Sequence, residues 1–208
     1  MNIRVSTDAE TVRSVRQARH AGAFGIILSL SLGLPAIAGP VQDGEAAFAK
    51  GQAADINHDH NQAVVWYRKA ADLGNPQGEE RIGNWYELDV SPPDYTQAMA
   101  WYRKAAAQGN AEAEKSIGEM YCDGKGVTRD GTQAVAWYRK AAAGRDRISA
   151  RWAEVGLGTI YSGGYCVPRD DAQALFWYEN AYKHGDTTMK DIIDKMRGEG
   201  ITPSERAN

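Results

Sequence analysis

The chain is poor in the residues that catalysis draws on. Its 208 residues include two cysteines, four histidines and three phenylalanines. Two cysteines are too few for a multiple-disulfide framework. No Gly-x-Ser-x-Gly elbow, Ser-x-x-Lys, Lys-Thr-Gly, phosphate-cradling glycine loop or His-Glu-x-x-His occurs, so the sequence signatures of serine hydrolases, penicillin-recognising enzymes, P-loop proteins and zinc peptidases are all missing. An excess of positive charge is missing too. Lys and Arg number 24 against 27 Asp and Glu, a formal net charge of -3, which argues against nucleic acid or anionic lipid as a partner.

Only one long uncharged run is present, and it lies near the N-terminus. Arg4, Arg13, Arg16, Arg19 and His20 precede residues 21–38, which contain Gly25-Ile26-Ile27-Leu28-Ser29-Leu30-Ser31-Leu32 and close in Ala36-Ile37-Ala38. A basic start, a short apolar centre and an A-x-A end are the parts of a secretory signal peptide, so residues 1–38 are expected to be removed after Ala38 and the protein to be periplasmic or secreted. An uncleaved anchor is the alternative, but the apolar part is short against the roughly 20 residues a spanning helix needs. Twin arginines are missing, and no cysteine follows Ala38 to carry a lipid. Without residues 1–38 the chain carries 20 basic and 25 acidic groups, a formal charge of -5.

What the chain does have is repetition. Trp-Tyr-Arg-Lys-Ala-Ala occurs at Trp66 to Ala71, Trp101 to Ala106 and Trp137 to Ala142, with a degraded copy Trp177-Tyr178-Glu179-Asn180-Ala181. The Trp residues are 35, 36 and 40 positions apart, the period of a solenoid of two-helix units. Asp59, Asp94, Asp130 and Asp170 each lie seven residues before a Trp. Their carboxylates are placed to accept from the orphan backbone N–H groups of a starting helix. Ala63, Tyr67 and Ala70, like Ala98, Tyr102, Ala105 and Ala134, Tyr138, Ala141, then form a stripe at i, i+4 and i+7. These second helices fall near residues 60–73, 95–108, 131–143 and 171–184, with Gly74, Gly109, Gly144 and Gly185 at their ends. Upstream, Ile82-Gly83 with Tyr86, Ile117-Gly118 with Tyr121 and Leu157-Gly158 with Tyr161 mark the first helices. There the glycine permits close approach of a second helix.

These combined signals resemble the Sel-one-like repeat family, relatives of the tetratricopeptide repeats. Asp123-Gly124-Lys125-Gly126-Val127-Thr128-Arg129-Asp130 is similar to that family's helix-linking loop, and Tyr165-Cys166-Val167-Pro168-Arg169-Asp170 matches it in part. The resemblance runs from about Gly44 to Gly185. It implies an all-α, right-handed α-solenoid of about four helix-turn-helix repeats over residues 39–185. A capping helix and a frayed tail then follow over residues 186–208, with Met189, Ile192, Ile193 and Met196 on the covering face. Two departures stand out. The loop from Leu88 to Pro93 lacks glycine and is one residue shorter, and the stretch from Gly144 to Tyr161 is five residues longer than its counterpart.

A curved stack presents its first helices on the concave side, where solenoids usually hold a ligand segment. The positions there not needed for the core are Gln77, Glu80, Asn84 and Glu87 in one unit and Glu112, Lys115, Glu119 and Cys122 in the next. This mainly acidic row would complement a protein or peptide partner with a basic segment, although a solvated charged face gives the same pattern. Carboxylate pairs such as Glu79-Glu80 read as solvated groups rather than acids or bases. For Cys122 and Cys166, in the linking regions of adjacent units, two states are open: a disulfide, or two unpaired thiols. Cys166 replaces the loop glycine found at Gly126, costly if that position needs positive φ. His58-Asp59-His60 reads as a polar helix entry rather than a metal site, because Asp59 has a capping role. Trp66, Trp101, Trp137 and Trp177 read as core. Trp85 and Trp152, at positions where other units have no Trp, are also expected in the core, with exposure to a partner as the alternative.

The expected function is that of a non-enzymatic adaptor or regulator in the bacterial envelope or at the host interface, with no cofactor and no metal. Exported relatives have also been linked to β-lactams, so an envelope enzyme or binder acting on cell-wall fragments or β-lactams is the alternative from another class. A purely structural spacer is a second.

Overall fold

A computed structural model of the chain describes residues 39–204. The expected signal peptide, residues 1–38, lies outside the described residues, as do residues 205–208. Nine α-helices, and no strand, are present among the described residues. They are α1 (Pro40–Ile56), α2 (His60–Asp72), α3 (Pro76–Asn84), α4 (Tyr95–Ala107), α5 (Ala111–Asp123), α6 (Gly131–Ala142), α7 (Arg147–Gly163), α8 (Asp171–Lys183) and α9 (Lys190–Gly198). Each packs mainly on its neighbours in sequence. The pairs α1/α2, α3/α4, α5/α6 and α7/α8 are the four units of an all-α solenoid. Across units, first helices also touch first helices, α1 with α3 and α5 with α7, which makes theirs the inner side of the stack.

The second helices begin where the repeated Asp dictates. Asp59, Asp94 and Asp170 accept from the backbone N–H of Gln62, Gln97 and Gln173, and Asp130 accepts from Thr132 and Gln133. First helices are capped as well, by Asn75, Asn110 and Asp146. Two of these follow the helix-ending Gly74 and Gly109, so a Gly-Asn pair both stops one helix and starts the next.

The first-helix glycines admit a ring. A Cβ on Gly83 would lie 2.5 Å from the Tyr102 ring, one on Gly118 would lie 2.8 Å from Tyr138, and one on Gly158 would lie 2.4 Å from Tyr178. Gly51 does the same for Tyr67 at 2.4 Å, so α1 is a true first helix although no large apolar residue precedes its glycine. These tyrosines, with Ala63, Ala98, Ala134 and Ala174, are buried and form the core shared along the stack.

The Trp residues depart from the core expectation. Trp177 is buried, but Trp66, Trp101 and Trp137 are half-buried and lie under cations: Lys69, Lys104 and Lys140, each three residues on, stand over the rings. Trp101 and Trp137 pack at the same time on the core of the preceding unit. The Arg of the motif reaches the following unit. Arg68 donates to the Tyr86 hydroxyl and Arg103 to that of Tyr121, both at 3.1 Å, and Arg139 makes the same contact with Tyr161.

Unit boundaries carry the sequence departures. The glycine-free loop after Tyr86 begins as a π-helical turn, Trp85–Asp89, and passes through a cis Ser91–Pro92 bond. The long stretch before Tyr161 lengthens a helix: α7 has 17 residues where α5 has 13. Cys122 and Cys166 are joined by a disulfide between the third and fourth units, with Cα atoms 5.1 Å apart. The expected backbone cost at Cys166 does not arise, because Gly126 has φ +68° whereas Cys166 is not in the left-handed region.

At the C-terminus a short 3₁₀ turn, Thr187–Met189, leads into α9. Ile193 and Met196 are buried against α8 and Met189 is partly covered, but Ile192 faces outward. Over its described part, the tail expected to fray makes contacts with the stack. Ile201 packs on the same cluster and the backbone N–H of Ser204 bonds to the Ala172 carbonyl at 3.1 Å.

Candidate functional site

The inner face of the first helices holds a groove. One cavity of about 450 Å³ is lined by residues of all four units, including Phe48 of α1, Gln77, Glu80 and Asn84 of α3, Glu112 of α5, and Asp146 and Ser149 at the start of α7. A second cavity of about 470 Å³ continues it between the first and second units, and Arg81 and Asn84 line both.

The repeat register puts each of these side chains in place. Because the glycine lets the second-helix Tyr slide beneath the first helix, the phenol emerges on the inner face. There it meets the residue four positions after the glycine. Tyr67 donates to Asp55 at 2.5 Å, Tyr102 to Glu87 at 2.9 Å and also to Asn84 at 2.6 Å, and the Tyr178 hydroxyl lies 3.1 Å from that of Ser162. In the third unit that position is Cys122, which is committed to the disulfide. Burial, and then the carboxylates beside them, push Tyr67 and Tyr102 well above the ordinary phenol range.

Of the eight inner-face positions singled out in sequence, Glu80, Asn84, Glu87, Glu112, Lys115 and Glu119 fall into one electrostatic cluster. Gln77 is exposed at its edge. Glu80 is only 6% exposed; it accepts from the Asn84 amide and lies 3.6 Å from Arg81. Burial raises its pKa, partly offset by Arg81. Glu87 pairs with Lys125 at 3.2 Å, and Lys115 bridges Glu112 at 2.8 Å and Glu119 at 3.6 Å. Burial works against the Lys115 charge, but Glu112 and Glu119 outweigh it and hold its pKa above the ordinary value. Burial likewise raises Glu119; Lys115 opposes that shift, and the nearby Glu87 and Glu112 add to it. The row is acidic, as read in sequence, yet much of its charge is already spoken for by Lys115, Lys125 and Arg81. Glu80 therefore acts from beneath the surface, not as an open contact.

Sel1 repeats match residues 44–75, 76–110, 111–146 and 153–186. The chain belongs to the Sel1 repeat family. No curated protein matches it. Among solved structures, it is similar to c5321, a protective antigen present in uropathogenic Escherichia coli strains, with 32% identity and a TM-score of 0.65. That match covers 78% of this chain and 35% of the antigen, so the chain spans about a third of that relative's length. A Sel1 repeat protein from Oxalobacter formigenes matches at 27% identity and a TM-score of 0.65, covering 83% of this chain and 70% of that one. Sel1 repeat proteins generally serve as protein-interaction scaffolds and are typically non-enzymatic.

The Sel1 register also organises a row of buried carboxylates. Four positions before the glycines stand Glu79, Glu114 and Glu154, all buried. Each is met from the end of its unit's second helix: Glu79 by the Gln108 amide at 2.7 Å, Glu114 by Lys140 at 3.0 Å, Glu154 by His184 at 2.9 Å. Glu79 is thus a structural carboxylate, not the solvated group expected. Burial raises the pKa of Glu79 and Glu154. The signal was legible as a Glu at a fixed distance from three of the four repeat glycines; Ala47 holds that place in the first unit. The degraded fourth motif has a matching explanation. Glu179 stands where the other Sel1 units have Arg, and it pairs at 2.8 Å with Arg197 of α9, because the next element is the cap and offers no Tyr.

Near the groove's first-unit end, Asp59 caps α2 and His60 bonds to Asp55 at 3.2 Å. Among the described residues no group of three His, Cys, Asp or Glu is placed to hold a metal ion. The two unassigned Trp residues differ from the core expectation. Trp85 is half-buried beside Tyr86 and lines the first-unit cavity, and Trp152 is 53% exposed. No helix among the described residues is long and apolar enough to cross a membrane.

Proposed function

We propose that the chain is an exported, non-enzymatic scaffold whose inner groove holds a basic segment of a partner protein, as an adaptor or regulator in the bacterial envelope or at the host interface. The observation that carries this reading is the groove itself: one cavity touches all four units, and its lining holds Glu80, Glu112 and Asp146 with Arg81, while Lys115 bridges Glu112 from the side. Opposite charge steers association and fixes register more than it adds raw affinity, as suits a regulator that must release its partner. Export is supported by the basic start, apolar centre and A-x-A end of residues 1–38.

Two experiments test it. Crosslinking and capture from the native cell envelope would compare wild type with Glu112→Lys and Glu119→Lys together. These two half-buried carboxylates are chosen over Glu80, whose burial would confound the result with misfolding. The expected result is a partner lost from the folded variant; capture that ignores the reversal contradicts the groove. Separately, N-terminal sequencing of the protein from the native host is expected to begin at Gly39, whereas an intact Met1 terminus in the cytoplasm contradicts export.

A further inference from the structure

Six and three residues before the repeat glycines stand Gln77 and Glu80, then Glu112 and Lys115, then Trp152 and Val155; Gln77, Glu80 and Glu112 line the groove. The row is polar and charged in the second and third units and turns apolar in the fourth. Ile148, one helical turn before Trp152, is 60% exposed, so two large apolar side chains stand uncovered on one face of α7. Ile148 lies in the first turn, by which α7 outruns α5, and Trp152 takes the position that Glu112 has in α5. Asp146 and Ser149, in that same first turn, line the cavity that holds Glu80 and Glu112, which places this apolar edge beside the acidic floor. Single exposed apolar residues need no explanation, but an aromatic and an aliphatic paired at the rim of a charged groove form the kind of anchor seat around which interfaces are built.

We infer that the groove selects an extended segment of a partner protein carrying a Lys or Arg over Glu80 and Glu112 and, about three residues away, a large apolar side chain seated against Trp152 and Ile148. The spacing follows from helices packed roughly 8–10 Å apart and an extended chain that advances roughly 3.3 Å per residue. The inference rests on the groove reading above and adds a second specificity element to it.

The test is a selection of unstructured random peptides displayed on phage against the purified protein, followed by anisotropy titration of the enriched peptides. Enriched sequences are expected to share a basic and a large apolar residue two to four positions apart. Trp152→Ala, at an exposed site, is expected to weaken them at least about tenfold, and so is replacement of the apolar residue in the peptide. Glu112→Lys should weaken them independently. If binding falls with Glu112→Lys but ignores Trp152→Ala, the anchor is overturned while the groove reading stands. If no peptide is enriched, or binding ignores both variants, both are overturned. Self-association in sedimentation that is abolished by Trp152→Ala would identify a second copy as the occupant of this edge and would overturn the partner segment.

Discussion

The motif Trp-Tyr-Arg-Lys divides its labour among side chains pointing four ways. Tyr goes inward past a glycine, Arg goes forward to the next unit's Tyr, and Trp lies back on the preceding unit with Lys as its lid. The inward step is the most demanding. Tyr102 is fully buried, and a methyl on Gly83 would sit 2.5 Å from its ring. Gly83→Ala is therefore expected to destabilise the protein by about 1–3 kcal/mol through overpacking, more than the roughly 1 kcal/mol that alanine gains in a helix interior. Tyr102→Phe keeps the ring but removes the hydroxyl from which Asn84 Oδ1 and Glu87 accept, leaving Glu87 with Lys125 alone, a loss of about 1 kcal/mol. Chemical denaturation of both variants, with unchanged m-values, checks these outcomes; a Gly83→Ala protein more stable than wild type would show that the ring can yield.

The helices were legible because their signals are local. A repeated Asp starts each second helix, a stripe of Ala and Tyr gives it a face, and the glycine before each first-helix Tyr reveals a close crossing. The fate of the charged residues was not legible, since it depends on which helix end lies above them. Glu79 and Glu80 are adjacent in sequence, yet one meets Gln108 across a helix pair and the other meets Asn84 on its own helix. Helix α9 shows the same limit: a four-residue apolar face was readable, but Ile192, about 100° round the helix from the buried Ile193, stays 40% exposed. Pairing of the cysteines depended equally on how the linking loops of adjacent units stack. The resulting bridge spans 44 residues, so replacing Cys122 and Cys166 by Ser is expected to cost roughly 4 kcal/mol in the chain-entropy model. Thermal unfolding with and without reductant measures it. A reduced protein as stable as the oxidised one would show that unit stacking alone holds the third and fourth repeats together.

The stack as a whole carries buried carboxylates along its length, and they set its response to pH. Burial raises the pKa of Glu79, Glu80, Glu119 and Glu154. Each binds its proton more readily folded than unfolded, so between the ordinary carboxylate value and the raised one stability falls as pH rises. Asp146, lowered by its hydrogen bonds to Ser149, acts in the opposite sense, but it is one group against four. The melting temperature is expected to rise as pH is lowered from neutrality to about 5, above the ordinary carboxylate range. Glu154→Gln should flatten the slope, and a melting temperature that falls steadily over the same interval would contradict the account. The central claim concerns the groove, and the most direct test is photo-crosslinking in the native envelope. A crosslinking amino acid would be placed at Gln77 on the inner face or at Ala136, exposed on the second helix α6. The account predicts a discrete adduct from Gln77 and none from Ala136. An adduct from Ala136 alone, or from neither position, would contradict it.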